Sequence, residues 1–242
     1  MMMMGGVKGA RRFLLNVLFP VRCLSCAAYD TYLCDRCARA AERASLRCPV
    51  CGEVSFYGAR HTGCGKARRG LTGFVSIWRY RGPVRKAIHA VKYSKISDAV
   101  RELVRRACDV MERDALRYEP FLQFARGAVF TYVPMRIRAE DARGFNQTRL
   151  ITEKLSRYIG APICDMLCKV KNISSQTLLS GARERIKNVH DAFAVRDGAA
   201  VPARIVIIDD VWTSGATMKS CARVLRAGGA REVWGFTLTQ AV

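Results

Sequence analysis

The sequence has 242 residues, with 41 Lys and Arg against 20 Asp and Glu, a net charge of +21, and 50% hydrophobic residues. That length holds one ordinary α/β domain plus a small appendage, and no run is long and apolar enough to span a bilayer. The basic field favours polyanions such as nucleic acid, phosphorylated sugars or an acidic membrane surface, without choosing among them. A generally Arg-rich proteome would leave the same mark.

Residues 1–22 are expected to form an N-terminal amphipathic segment. Arg11-Arg-Phe-Leu-Leu-Asn-Val-Leu-Phe19 imitates a signal peptide, but its apolar run is short, is broken by Asn16 and lacks a small-residue cleavage site. Seven of the eleven cysteines fall between Cys23 and Cys64. Such clustering argues for metal in a reducing compartment, hence a cytoplasmic protein, rather than for disulfides.

Residues 23–70 form the expected zinc-ribbon module. Cys23-Leu-Ser-Cys26, Cys34-Asp-Arg-Cys37 and Cys48-Pro-Val-Cys51 are three CxxC knuckles, followed by a single Cys64. Two knuckles complete a closed tetrahedral site, so the simplest assignment puts Cys23, Cys26, Cys34 and Cys37 on one zinc. Cys48, Cys51 and Cys64 then need a fourth ligand, since Ala67 stands where a matching knuckle would end; His61 is the nearest substitute. A crossed arrangement, with the first and third knuckles sharing a metal, stays open. A module this short buries too little apolar area by itself, so zinc would supply much of its folding free energy.

Arg68-Arg69-Gly70 links the module to residues 71–242. Phe74 to Tyr80 alternates as a strand. Gly82-Pro83 then turns into a helix whose Val84, Ile88 and Val91 share one face, leaving Arg85, Lys86 and Lys92 free to meet an anion. His89 is expected to be a packed or capping residue. A second helix, Ser97 to Arg117, carries a core stripe of Val100, Leu103, Val104, Ala107, Val110 and Met111, with Cys108 as a small buried residue. Ala128 to Val133 is a buried strand ending at Pro134, and a helix runs on through Tyr158. The turn between them holds Met135, Arg136, Arg138 and Arg143. A basic turn at the C-terminal edge of a strand can receive a polyphosphate.

The most informative stretch is Arg204-Ile-Val-Ile-Ile-Asp209-Asp210-Val-Trp-Thr213-Ser214-Gly215-Ala216-Thr217. A β-branched run ends in two carboxylates, then in a small hydroxyl-rich turn that opens a helix from Ala216 to Ala227. Free N–H groups and the helix dipole there favour a phosphate, Thr213, Ser214 and Thr217 add hydroxyl donors, and Gly215 removes a clashing Cβ. Asp209 and Asp210 suit sugar hydroxyls or a divalent cation. Gly228-Gly229 closes the helix and Glu232 to Leu238 forms a last strand. Alternating strands and helices predict an α/β fold, a mostly parallel sheet with helices on both faces and ligand at the strands' C-terminal ends.

The Asp-Asp-Val-Trp-Thr-Ser-Gly-Ala-Thr stretch resembles the phosphoribosyl pyrophosphate (PRPP) loop of type I phosphoribosyltransferases. Val133-Pro134-Met135, Arg143-Gly-Phe-Asn-Gln147, Tyr80-Arg-Gly-Pro-Val84, His89-Ala-Val-Lys-Tyr93 and the knuckles narrow the resemblance to the ComF family, competence-protein-F-like members of that superfamily with an N-terminal zinc ribbon. The resemblance implies that Asp209 and Asp210 meet the ribose hydroxyls, that Thr213, Ser214, Gly215, Ala216 and Thr217 cradle the 5-phosphate, and that Pro134, Met135, Arg136, Arg138 and Arg143 meet pyrophosphate with Mg²⁺. Lys169, Lys171 and Gln176 would be mobile-loop contacts; the interval from Gln176 to Asn188 is one residue longer than the family pattern. It also implies a role in DNA uptake, with single-stranded DNA and DNA-uptake proteins as partners. The alternatives are a nucleotide-metabolism phosphoribosyltransferase acting on a small acceptor and a PRPP-sensing scaffold without turnover.

Overall fold

A computed structural model describes residues 20–67, 70–93, 96–135, 145–170 and 192–241. The expected N-terminal helix, the Arg68-Arg69 link, Arg136, Arg138, Arg143, Lys171 and Gln176 lie outside them.

The sheet consists of β1 (Gly73–Arg79), β2 (Val129–Tyr132), β5 (Arg204–Trp212) and β6 (Glu232–Gln240), all parallel, in the order β1-β6-β5-β2. Ile205 to Ile208 at its centre are fully buried. A strand covered on both faces reads as an unbroken β-branched run, not as an alternation. On one face Val75, Ile77, Val206, Ile208, Phe236 and Leu238 pack against α2 (Gly82–Tyr93), α3 (Ser97–Arg113), α4 (Ala115–Arg126) and α5 (Gln147–Ile159). On the other, Phe74, Ile205, Ile207 and Val233 meet α6 (Ala216–Ala227) and a two-stranded antiparallel hairpin, β3 (Leu167–Lys169) with β4 (Phe193–Val195).

The core stripe expected along α3 is buried throughout, and so is Cys108, whose thiol burial pushes up to about 12. The helix expected to reach Arg117 instead ends at Arg113. The chain bends at Asp114 and resumes as α4, which was not anticipated. Pro120 lies inside α4 and supplies no N–H to the preceding turn, where Leu116 is 88% exposed and water can serve the carbonyl. Burial of Tyr118, Phe121, Leu122 and Ala125 outweighs that loss. The hairpin was also missed, because each strand is only three residues long and 23 residues separate them in sequence.

The cysteine-rich segment is not a detached bead. The α1 helix (Asp35–Arg39) and its flanks place Leu33, Cys37, Ala41 and Leu46 in the same core as α2 to α4. The backbone at 42–44 runs along the outer edge of β1, with Arg79 N donating to Glu42 O at 2.9 Å and Ala44 N to Ile77 O at 3.1 Å. This covers a sheet edge that would otherwise present unpaired backbone groups.

On the opposite edge, Phe130 N donates to Pro162 O at 2.8 Å and Cys164 N to Phe130 O at 2.9 Å, a short parallel bridge at Ile163. The chain therefore leaves β2 outward, through α5 to Ile163, whereas it leaves β5 in the other direction, through α6 to β6. The winding reverses between β2 and β5, and a crevice opens beyond the C-terminal ends of those two strands.

Candidate anion site and metal centres

The turn from Thr213 to Gly215 lies at that crevice. After Trp212, Thr213 and Ser214 are exposed and Gly215 takes φ 72° before α6 begins at Ala216. A Cβ on Gly215 would stand 2.1 Å from the Trp212 indole, so both the left-handed backbone and the indole demand glycine. Asp209, Thr213, Gly215, Ala216 and Thr217 line a cavity of about 30 Å³ with Thr237 beside it. Ser214 stands apart: its Oγ accepts from Ala216 N at 3.3 Å, and the residue lines a different cleft.

The two carboxylates are not equivalent, because successive residues of β5 face opposite sides of the sheet. Asp210 is buried on the α2–α5 side, where Lys92 Nζ lies 2.9 Å and Gln147 Nε2 3.1 Å from its Oδ2. Lys92 is thus engaged with Asp210 and is not free to meet an anion, contrary to the expectation from its helical position. Lys86 reaches the Ser25 carbonyl and Arg85 lies over the Tyr80 ring. His89 is an exposed residue tilted against Tyr93, with ring centroids 4.3 Å apart, and not a core residue.

Asp209 faces the small cavity. It keeps some exposed surface, yet crowding by protein, followed by the Asp210 charge, pushes its carboxyl up to about 8; the Asp210 backbone N–H and Lys92 pull the other way. One acid is neutralised by an ammonium and the other holds its proton near neutrality, which is how adjacent like charges coexist in a buried place.

Pro134 and Met135 follow β2 into the same crevice. Val133 N donates to Ile208 O at 3.0 Å, and Thr148 Oγ1 donates to Val133 O at 3.0 Å, tying the start of α5 to the end of β2. Asn146 caps α5 by accepting from Arg149 N at 3.1 Å, with Asn146, Gln147 and Thr148 all buried. Lys169, expected in a mobile loop, instead closes β3 with its ammonium 5.3 Å from the Phe193 ring centroid. Sequence reasoning gave Lys92 no acidic partner and Gln147 no role. Both sit in motifs that stand out in the sequence, but nothing local to either points at Asp210.

Cys23, Cys26, Cys34 and Cys37 bring their sulfurs within 4.8 Å of one another, and so do the ligand atoms of Cys48, Cys51, His61 and Cys64. The knuckles therefore pair in sequence order, not crossed, and His61 completes the second group. His61 Nδ1 is 3.4 Å from Cys51 Sγ while Nε2 donates to Val54 O at 3.1 Å, an outer hydrogen bond that leaves Nδ1 as the metal-facing nitrogen. Without a metal the four thiols diverge: hydrogen bonds led by the Ala28 backbone N–H draw Cys26 down to about 6, while burial pushes Cys37 up to about 12. Each group, Cys₄ and Cys₃His, fits a structural zinc in donor chemistry and number.

No family model matches the chain. It is 30% identical to DNA utilization protein YhgH of Escherichia coli O157:H7 over 209 residues, 84% of this chain and 88% of the relative. It is also 30% identical to competence protein F of Haemophilus influenzae over 227 residues, 90% of this chain and 96% of that one. Among solved structures, a Bacillus subtilis glutamine PRPP amidotransferase complexed with ADP and GMP aligns over 48% of this chain and 24% of its own, at 19% identity and TM-score 0.33, too faint a likeness to carry weight. Identity of this extent over nearly the full length of competence protein F means that the chain belongs to the ComF family.

Proposed function

We propose that this chain binds PRPP with Mg²⁺ at the β5–α6 turn and serves DNA uptake, with single-stranded DNA as a partner. The observation that carries the ligand is Asp209: an acid beside a small hydroxyl- and amide-lined cavity at a helix N-terminus, at the crevice where the winding reverses. In this reading Thr213 to Thr217 hold the 5-phosphate and Asp209 and Asp210 orient the ribose. Pro134, Met135, Arg136, Arg138 and Arg143 attend the pyrophosphate, and Lys169, Lys171 and Gln176 are further contacts. Mg²⁺ would neutralise pyrophosphate charge. Two zinc ions hold residues 23–70 as a module ahead of a phosphoribosyltransferase-like domain at 71–242, in a cytoplasmic protein.

The names of the relatives, competence protein F and DNA utilization protein, support the DNA role. The charge of +21 supports a polyanionic partner. No helix among the described residues is long and apolar enough to cross a membrane. Calorimetric titration of PRPP with Mg²⁺ tests the ligand: saturable binding is expected in the wild type and its loss in Asp209→Asn/Asp210→Asn. Absence of binding to the wild type overturns the reading. Pyrophosphate release from bound PRPP would add turnover. For the strand, affinity for a single-stranded oligonucleotide should fall steeply with salt, and salt-insensitive or absent binding removes that partner.

A further inference from the structure

The loop between Cys51 and His61, two ligands of the second metal group, turns its large apolar side chains outward. Val54 is 69%, Phe56 89% and Tyr57 45% exposed, while the small residues Ser55 and Gly58 beside them are buried. The backbone holds this inversion in place. Gly58 takes φ 73° and presses on β1, where a Cβ would stand 2.0 Å from the Phe74 carbonyl oxygen, so only glycine fits. Tyr57 itself adopts φ 59°, Ser55 Oγ donates to the Ala59 carbonyl and His61 Nε2 to the Val54 carbonyl. The rings of Phe56 and Tyr57 stand 6.4 Å apart, tilted by 50°. Folding ordinarily buries such rings; a pair held out by a braced turn marks a surface that meets a partner.

The same loop runs on into an open cleft of about 540 Å³, which Ala59 and Arg60 share with Gln123 and Phe124 of α4 and with Arg204 and Glu232, the first residues of β5 and β6. Arg60 and Arg204 outnumber Glu232, the one acid lining the cleft among the described residues. The Arg204 side chain is 41% exposed and its Cζ lies 4.5 Å from the Phe124 ring centroid, with Glu232 3.8 Å away, beyond hydrogen-bonding reach. Burial and then the neighbouring Arg60 charge hold Arg226 below the usual guanidinium value, which shows how positive this end of the sheet is. Because β5 and β6 are parallel, the cleft lies at the opposite end of the sheet from the Asp209 crevice. Arg204 and Asp209 both belong to β5, separated by about 16 Å at roughly 3.3 Å per residue.

We infer that the Phe56–Tyr57 pair and the Arg60–Arg204 cleft form one surface for single-stranded nucleic acid, with bases stacked on the two rings and backbone phosphates at the guanidinium groups. This rests on the reading above that a single strand is a partner, and adds where it binds: the N-terminal edge of the sheet, away from the Asp209 crevice. Unpaired bases present the flat faces that exposed rings stack against, which a duplex keeps covered, and guanidinium groups further along the loop meet the phosphates. Residues 47–69 carry five Lys and Arg against one Glu, so the loop's own charge suits a polyanion. A concave basic cleft beside the rings follows the backbone of a strand, whereas a flat bilayer surface would leave it unused.

Fluorescence anisotropy of a 5′-labelled thymidine dodecamer on the zinc-loaded full chain tests this. Saturable binding is expected, about tenfold weaker in Phe56→Ser and in Tyr57→Ser through loss of stacking. Arg60→Gln and Arg204→Gln should each lower the slope of log affinity against log salt by about 0.7. Phe56 is so exposed that its variant should melt as the wild type does and keep its zinc and its affinity for PRPP. Saturating PRPP with Mg²⁺ should leave the oligonucleotide bound. Wild-type binding that is untouched by all these substitutions, or abolished by PRPP, overturns this surface and leaves the single-strand reading standing. No binding by the wild type overturns both. If Phe56→Ser instead removes co-sedimentation with phosphatidylserine vesicles, or self-association in sedimentation velocity, while the dodecamer binds as before, the rings serve a membrane or a second copy of the chain and the proposal fails.

Discussion

Lys92→Met removes the ammonium 2.9 Å from Asp210 Oδ2 while keeping the length of the side chain. The pair is well shielded, with 20% of the Lys92 and 8% of the Asp210 side chain exposed. Deleting one partner of a buried pair typically costs about 3–5 kcal/mol because the other charge is left unpaired. Gln147 Nε2 remains 3.1 Å from the same oxygen and compensates in part, which brings the expected loss to about 2 kcal/mol. For a chain of this size that is a fall in Tm of about 4–8 °C. Urea unfolding at fixed zinc and pH 7 measures it, and a double-mutant cycle with Asp210→Asn isolates the pair, since Lys92→Met should cost little once the carboxylate is an amide. A second readout is Asp209, whose carboxyl Lys92 helps to hold down; its titration should move above 8 in Lys92→Met. A loss below about 0.5 kcal/mol, or a cycle with no coupling, would refute the view that Lys92 exists to neutralise Asp210.

Gly215→Ala combines a positive φ with a Cβ 2.1 Å from the Trp212 ring, and should cost about 1–3 kcal/mol in thermal melts together with measurable loss of PRPP affinity. The Asp209 carboxyl is raised from 3.8 to about 8, so ionising it is harder in the folded than in the unfolded chain. Its contribution to stability therefore falls as pH rises through that window, and Asp209→Asn should flatten this part of the stability profile. Affinity for PRPP with Mg²⁺, which favours the ionised acid, should rise from pH 7 to 9 in the wild type and not in Asp209→Asn. Metal analysis is expected to find two zinc ions per chain and one in His61→Ala, with chelation lowering Tm and zinc affinity weakening as protons compete for the thiolates below pH 7.

The β5 run, the turn after it, the α3 stripe and the three knuckles were legible in the sequence because each is a property of contiguous residues. Backbone preference, side-chain period and ligand spacing act over a few positions, and nothing distant overrode them. Where distant contacts decide, local pattern fell short. α4 forms around Pro120 because its aromatic face finds a core, and β3 and β4 find each other across a long interval. Helical position alone made Lys92 look like a free cation; packing of α2 against the end of β5 made it the counter-ion of Asp210. The same holds for Gln147, whose use depends on where α5 starts relative to β2.

Spacing alone could not pair the knuckles, since four thiols suit one metal in either order, and it could nominate His61 only as the nearest candidate. What the sequence by itself determined was the chemistry available: an acid pair, a small hydroxyl-rich turn at a helix start and two sets of thiols. Tertiary structure decided how that chemistry is divided, neutralising Asp210, leaving Asp209 at the cavity, and gathering the thiols and His61 into two groups. Those assignments depend on which faces the sheet presents to which neighbours, a relation that only the closed fold creates.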